Sequence, residues 1–165
     1  MTLGLLLWGC SSKVSWEDCE STQDRLSAST QLFGLRGSDH FGQALATGDV
    51  DGDGQMDVLV GSPNYDPTSD SNFNAGMATL FLGSTIGASG SWQDSDAALT
   101  IYGVDEMEGL ASSVGLSDVD GDGLDDLWIG AHQGETTGQD TGIVHLFYAV
   151  DLQSKLSGQS LKATD

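Results

Sequence analysis

Short apolar runs alternate with polar, glycine-rich stretches along most of the 165-residue chain. Runs such as VLVG, TLFL, LWIG and HLFY are too short for helices and are rich in β-branched or aromatic residues, which favours strands. Because the runs are continuously apolar, we expect strands that are covered on both faces. The first unit predicts four strands, at 43–48, 57–61, 76–82 and 99–102. A polar connector at 84–97 precedes the last strand, and no long helix is predicted.

This pattern occurs twice along the chain. Aligning Gly34 with Gly103 superimposes two acidic loops, the strands after them and the lead-ins 28–34 and 97–103, and this offset is the period of the repeat. Four-stranded units that stack face to face are propeller blades. The predicted fold class is therefore all-β, with β-propeller-type blades of about four antiparallel strands and two complete units.

Each unit contains a nine-residue loop with carboxylates at alternate positions, and Gly54 or Gly123 at position 6 allows a positive-φ turn. Calcium takes oxygen ligands, and a short loop supplies them from alternate positions because the intervening side chains point away. Position 7 offers its backbone carbonyl, and the other positions offer carboxylates. The candidate ligands are Asp49, Asp51, Asp53, Gln55 and Asp57 in the first loop, and Asp118, Asp120, Asp122, Leu124 and Asp126 in the second.

These loops predict about two Ca²⁺ ions per chain, each acting as a structural clamp. A bound ion offsets both the repulsion among the carboxylates and the entropy cost of ordering the loop. An acidic surface turn does not explain two copies with identical spacing. An EF-hand needs Glu at position 12, where the chain has Val60 and Ile129, and a helix after the loop, where a strand is predicted. Magnesium fits less well because it demands stricter octahedral geometry.

These motifs resemble the FG-GAP repeats of the integrin α-subunit β-propeller and its bacterial relatives. The matching residues are 41–42 (Phe-Gly) and 61–63 (Gly-Ser-Pro) in the first copy, and 110–111 (Leu-Ala) and 130–132 (Gly-Ala-His) in the second. The resemblance covers roughly residues 28–148. It implies that the acidic loop joins the first two strands of a blade, that a complete propeller has seven blades, and that the propeller surface binds protein or extracellular-matrix ligands.

The repeat sets the expected organisation of the chain. Two units would leave open strand edges and half-covered apolar faces, so we expect a fragment of a larger propeller, a truncated reading frame or self-association. The predicted segments are a signal or lipoprotein-like segment (1–10), a linker (11–27), a strand matching the end of a preceding blade (28–34), FG-GAP repeat 1 (35–102), FG-GAP repeat 2 (103–148) and a tail or the start of a further blade (149–165).

The N-terminus has the pattern of an export signal. An apolar run at 3–8, too short to span a bilayer, precedes Cys10, which resembles the lipidated cysteine of a bacterial lipoprotein. The alternative is a short disulfide between Cys10 and Cys19 in an oxidising compartment. We therefore expect an exported protein, located in the bacterial cell envelope or outside the cell.

Charge and residue content exclude several functions. The chain has 25 acidic against 5 basic residues and a formal net charge of −20, so nucleic acid is not an expected partner and a membrane is one only through a lipid anchor. No nucleophile with a partner histidine is legible among His40, His132 and His145, so the chain is not expected to be an enzyme. His145 lies in an apolar strand and is expected to be packed.

Binding is expected in the polar loops 64–75 and 133–141, which follow the second strand of each unit. Tyr65 and Trp92 lie in predicted loops and are candidates for stacking on a sugar, whereas Trp128 is expected in the core. The sequence thus predicts a calcium-binding adhesion or ligand-binding module of the cell surface, with a protein or carbohydrate ligand. The alternative is a non-catalytic blade segment of a larger secreted enzyme, or an assembling scaffold.

Overall fold

The structure, a computed structural model, describes residues 28–67, 73–134 and 141–163. None of the helices in these ranges is long and apolar enough to cross a membrane. The elements are β1 (Thr30–Phe33), β2 (Ala44–Gly48), β3 (Asp57–Ser62), β4 (Met77–Phe81), α1 (Gly83–Ile86), β5 (Gly90–Gln93), β6 (Leu99–Tyr102), β7 (Leu110–Ser117), β8 (Asp126–Ala131), β9 (Ile143–Phe147), α2 (Ala149–Leu152) and β10 (Gln159–Lys162).

The first repeat forms a four-stranded antiparallel blade. β2, β3, β4 and β6 lie side by side in that order, and these are the four strands that the apolar runs predict. β10, from the far end of the chain, joins the outer edge of the blade in parallel with β6. The blade is therefore closed on its outer side by a strand that follows the whole second repeat in the sequence.

The stretch 84–97 is more than the plain polar connector that the sequence predicted. It contains most of α1, all of β5 and a 3₁₀ turn at Asp94–Asp96. β5 pairs in parallel with β1, in the same way that β10 pairs with β6. The residues GSWQ of β5 carry no apolar run, so only a partner strand from elsewhere in the chain reveals the strand.

The second repeat copies the first, element by element. β6, β8 and β10 each begin one full repeat period after β1, β3 and β5. α2 begins slightly less than one period after α1, because the loop before β9 is shorter than the loop before β4. Residues 149–162, which the sequence leaves as a tail or the start of a further blade, thus form the counterparts of α1 and β5. The second sheet contains β7, β8 and β9, all antiparallel neighbours.

The main core lies between the two sheets, where β7 packs against β2 and β3. Leu59 and Leu80 of the first sheet meet Leu127 and Ile129 of the second, and all four are almost completely buried. Full burial of such a side chain stabilises a fold by about 1.5–3 kcal/mol. The opposite face of the first sheet carries a second cluster around Phe81, which β1 and β5 help to cover.

Trp128 is not a core residue, contrary to the prediction. It is half-buried on the outer face of the second sheet, and its Nε1 donates a hydrogen bond to Ser117 Oγ at 3.0 Å. Its counterpart in the first repeat, Leu59, is buried because the second sheet packs on it. The same strand position is therefore core in one repeat and partly solvent-exposed in the other.

Candidate metal centres

The two acidic loops lie at the same place in each repeat. The first joins β2 to β3, and the second joins β7 to β8. The sequence predicts a positive-φ glycine at position 6 of each loop, and the structure confirms it and adds a second one at position 4. The φ angles are 76° and 83° at Gly52 and Gly54, and 82° and 93° at Gly121 and Gly123.

Three carboxylates converge in each loop, from positions 1, 3 and 9. Each triad can place one oxygen per residue so that all three oxygens lie within 4.8 Å of one another. Two like charges 4 Å apart repel by about 1 kcal/mol in bulk water and by more at a partly buried site. The arrangement is therefore one that a cation would stabilise. The triads are Asp49, Asp51 and Asp57, and Asp118, Asp120 and Asp126.

The carboxylates at position 5 lie outside these triads. Asp53 accepts hydrogen bonds from the backbone N–H of Gln55 at 2.7 Å and from its side-chain Nε2 at 2.8 Å. In the second loop, Asp122 accepts a hydrogen bond from the N–H of Leu124 at 2.8 Å. The structure thus brings together three of the five residues predicted in each loop, and positions 5 and 7 bond to each other.

Backbone N–H groups hold the triad carboxylates in place. Asp49 accepts from Gly52 at 2.8 Å and from Gly54 at 2.9 Å. Asp118 accepts in the same way from Gly121 at 2.7 Å and from Gly123 at 3.1 Å. Position 3 accepts from position 5 at 3.1 Å in both loops. The oxygens are therefore oriented by the loop itself, before any ligand is considered.

The carboxylate at position 9 is fully buried and fastens the loop to the helix after the third strand of its unit. Asp57 accepts hydrogen bonds from the N–H groups of Val50 and Gly83, both at 2.8 Å. Asp126 accepts from Val119 and Ala149, both at 2.9 Å. Because Gly83 and Ala149 are the first residues of α1 and α2, each carboxylate ties three segments of its repeat together.

The electrostatics of the first loop are unfavourable without a cation. Burial raises the pKa of Asp57 above its usual range, even though the N–H groups of Gly83 and Val50 act to lower it. The neighbouring charges of Asp51 and Asp49 raise the pKa further. A bound cation would make the electrostatic potential at Asp57 positive and would therefore favour the ionised carboxylate.

The two loops are coupled through Asp125, which the sequence reasoning missed. Asp125 Oδ2 accepts the N–H of Asp49 at 2.7 Å, and the N–H of Asp125 donates to the carbonyl oxygen of Asp49 at 2.9 Å. Its counterpart in the first repeat is Met56, which is exposed. The only signal in the sequence is an Asp where the other copy has an apolar residue.

The aromatic candidates for ligand contact lie apart from the loops. Tyr65 stacks on Tyr102 with ring centroids 5.5 Å apart, and the guanidinium of Arg36 lies 5.0 Å from the centre of the Tyr65 ring. These residues line a cavity of about 260 Å³. Trp92 lies on β5 and not in a loop, and it packs against the cluster around Phe81.

The three histidines differ in burial. His145 is packed, as predicted: its ring stacks near Phe147, and its Nε2 lies 3.7 Å from a carboxylate oxygen of the buried Glu108. His40 and His132 are exposed. Cys10, and parts of the two predicted binding loops, lie outside the described residues.

Comparison with known proteins agrees with this architecture. The FG-GAP repeat family matches residues 41–81 and 110–147, and each match contains one acidic loop and the three strands around it. The chain is 33% identical to integrin alpha-PS2 of Drosophila melanogaster over 122 residues, which is 71% of this chain and 8% of that protein. It is 29% identical to integrin alpha-IIb of Homo sapiens over 131 residues, which is 77% of this chain and 12% of that protein.

A third relative carries the name of an enzyme. The chain is 27% identical to phosphatidylinositol-glycan-specific phospholipase D of Dictyostelium discoideum over 143 residues, which is 84% of this chain and 14% of that protein. The chain thus spans 8–14% of the length of these three relatives. With two matched repeats, a blade-like sheet of mostly antiparallel strands in each repeat and this likeness, the chain is an FG-GAP repeat protein that resembles the repeats of the integrin α-subunits.

Proposed function

We propose that the chain is a calcium-binding, non-catalytic module for ligand binding or adhesion at the cell surface, in which Ca²⁺ acts as a structural clamp. The observation that carries the metal assignment is the pair of carboxylate triads, each held by the same set of backbone hydrogen bonds. The donor set consists of oxygen atoms alone, which suits a hard cation. Asp53 and Asp122, together with the carbonyls of Gln55 and Leu124, would complete the coordination after a small change in the loop.

The clamp role follows from what the triads are attached to. Position 9 holds the strand and the helix of its own repeat, and Asp125 holds the first loop against the second. An ion at Asp49, Asp51 and Asp57 would therefore stiffen one blade and its contact with the next. Binding that occurs only in the folded state adds about 2.7 kcal/mol of stability at a free ion concentration 100 times the dissociation constant.

Calorimetric titration of the full chain tests the metal assignment, and about two Ca²⁺ ions per chain are expected. Asp51→Ala and Asp120→Ala should each remove one ion, and together they should remove both. Asp105→Ala, an exposed carboxylate outside the loops, is the control for loss of charge and should leave the count unchanged. The assignment fails if the double variant still binds two ions.

The cell-surface part of the proposal is supported by the likeness to the integrin α-subunits. Loops on a rigid scaffold commonly carry binding residues, so 64–75 and 133–141 are the segments proposed for contact with a protein or carbohydrate ligand. Purified chain, loaded with Ca²⁺, can be screened against immobilised matrix proteins and glycans. Replacing the two loops by Gly-Ser linkers should abolish any binding found while leaving the Ca²⁺ count unchanged.

Export and lipidation at Cys10 belong to the same proposal. When the full chain is expressed in a bacterium that is fed a labelled fatty-acid analogue, the chain should carry the label and be found in the membrane fraction. Cys10→Ser should lose the label, and Cys19→Ser should keep it. Equal labelling of both variants would contradict lipidation at Cys10.

A second candidate function is a non-catalytic blade segment of a larger secreted enzyme. The likeness to the phospholipase D of Dictyostelium discoideum over 84% of this chain favours it. A catalytic domain in the same reading frame would support this candidate over an adhesion module. The calcium clamp is common to both.

A further inference from the structure

The two candidate metal loops are joined by hydrogen bonds that involve a triad residue of the first and a residue inside the second. Asp125 Oδ2 accepts the N–H of Asp49 at 2.7 Å, and the N–H of Asp125 donates to the carbonyl oxygen of Asp49 at 2.9 Å. Asp49 is position 1 of the first loop, and Asp125 lies between positions 7 and 9 of the second. An ion that orders the second loop would therefore fix the position of Asp125, and through it that of Asp49.

The place of Asp125 against the first loop depends on a glycine. Gly48 is buried, and a Cβ at this position would lie 2.5 Å from Asp125 Oδ2 and 3.0 Å from Asp125 Cβ. The counterpart of Gly48 in the second repeat is Ser117, and the counterpart of Asp125 in the first is Met56. Glycine at position 48 therefore leaves the space that the Asp125 carboxylate occupies.

A second route between the loops runs through α2. Asp126, at position 9 of the second loop, accepts the N–H of Ala149, the first residue of α2, at 2.9 Å. Gln153 directly follows α2, and its Nε2 donates to the carbonyl oxygen of Val50 in the first loop at 2.8 Å and to that of Ala149 at 3.2 Å. Asp125 and Gln153 together form a bridge between the two loops.

The bridge holds the part of the first loop on which its triad is built. Its bonds reach both backbone groups of Asp49 and the carbonyl oxygen of Val50. The N–H of Val50 in turn donates to Asp57, which is position 9 of the same triad. Ordering the second loop by an ion would therefore remove part of the entropy cost of ordering the first.

We propose that the bridge makes Ca²⁺ binding to the two loops cooperative, so that an ion in either loop raises the affinity of the other. This inference rests on the proposed function, because it requires that both loops bind the ion. Coupling between two binding sites is reciprocal, and we expect a factor of about five to twenty. The sign is informative, since two cations that interacted only through their charges would weaken each other's binding.

Calorimetric titration of the full chain with Ca²⁺ measures the coupling. Asp120→Ala leaves only the first site and Asp51→Ala only the second, so each variant gives the association constant of one site while the other is empty. The product of the two association constants of the wild type should exceed the product from the two variants by about five- to twentyfold. Two bound ions with a product ratio of one or less would overturn the cooperativity and leave the metal assignment standing.

Removing the bridge should make the two sites independent. With Asp125→Ala and Gln153→Ala added to all three chains, the product ratio should fall to about one. Asp125→Asn keeps an oxygen that can accept the N–H of Asp49, so this variant should keep most of the coupling although it loses the charge. Met56→Ala, at the exposed counterpart of Asp125, is the matched control and should keep the wild-type ratio. A ratio that stays at the wild-type value without the bridge contradicts the proposal.

Hydrogen exchange tests the same link in a chain whose first site cannot hold the ion. In Asp51→Ala, Ca²⁺ bound at the second loop should slow exchange of the Asp49 N–H several-fold, because the acceptor of this N–H is Asp125. The effect should disappear when Asp125→Ala is added. Protection confined to the second loop refutes the coupling alone, whereas no protection in either loop refutes the proposed function and the coupling together.

Discussion

The two repeats have nearly the same acidic loop, but the surrounding structure buries the first loop more than the second. Val50 follows the first residue of its loop and lies under the second sheet, whereas its counterpart Val119 is partly exposed. Both N–H groups donate to the carboxylate at position 9 of their loop. Local hydrogen bonding therefore follows the loop sequence, while burial depends on which neighbour packs on the repeat.

A second pair of counterparts differs in chemistry as well as in burial. Asp39 and Glu108 are both buried and both lie just before the Phe-Gly position of their repeat. Glu108 Oε2 accepts hydrogen bonds from the N–H groups of Val104 and Asp105, at 2.8 and 3.2 Å. Asp39 Oδ2 is buried and accepts none from the described residues. One position thus holds a satisfied carboxylate in the second repeat and an incompletely satisfied one in the first.

The largest expected effect is the loss of the carboxylate at position 9. In the presence of a chelator, Asp57→Ala should lower the free energy of unfolding by about 2–4 kcal/mol, because two N–H groups lose their acceptor. Asp126→Ala should cost less, because Val119 is open to water and Val50 is not. Urea unfolding measures both, and Asp53→Ala, outside the triad, is the control. Equal losses of stability at the two positions would show that the difference in burial between Val50 and Val119 does not affect the contribution of the carboxylate.

A glycine pair tests the contact between the sheets. A Cβ at Gly61 would collide with the carbonyl oxygen of Ala111 in the second sheet, whereas one at Gly130 would meet only the hydroxyl of Ser113, which can rotate away. Gly61→Ala should therefore destabilise by about 1–3 kcal/mol, and Gly130→Ala by clearly less. Thermal unfolding in a chelator, compared with the wild type, checks the difference. A larger loss at Gly130 would mean that the packing between the sheets is different.

The buried carboxylates give the smallest effect, and it depends on pH. Burial raises the pKa of Asp39, against the opposing effect of the Arg36 charge, and the charges of Asp66 and Asp94 add to the increase. The pKa of Asp39 is thus higher in the folded state than the unfolded value of 3.8. The stability that protonated Asp39 contributes is fully present below pH 3.8 and is lost as the pH rises through the folded pKa. Asp39→Asn should therefore stabilise by about 1 kcal/mol at pH 7, with the gain disappearing near pH 3.

Glu108→Gln is the counterpart experiment in the second repeat. It weakens the hydrogen bonds that the Glu108 carboxylate accepts from the N–H groups of Val104 and Asp105, so it should destabilise the fold by about 1 kcal/mol. Unfolding curves at pH 3 and pH 7 for both variants give the comparison. A stabilising Glu108→Gln, or a destabilising Asp39→Asn at pH 7, would reverse the assignment of which carboxylate is satisfied.

Much of the fold could be predicted because its signals are local. The apolar runs place β3, β4, β8 and β9, and the alternate carboxylates place the two loops. The strand β5 could not be predicted, since GSWQ has no apolar period and its partner β1 lies at the far side of the first repeat in the sequence. Asp125 was missed for the same reason: its partner, Asp49, belongs to the other repeat.

The repeat, most of the strands and the candidate ligands can be predicted from the sequence, because periodicity, glycine turns and carboxylate spacing act over a few residues. The fold, and not the local sequence, sets which three carboxylates converge, which of two equivalent positions is buried, and that Trp128 lies on an exposed face of the second sheet. These outcomes depend on contacts between segments far apart in the chain. Neighbouring repeats have similar sequences, yet the surface that each one covers differs, and burial follows that surface.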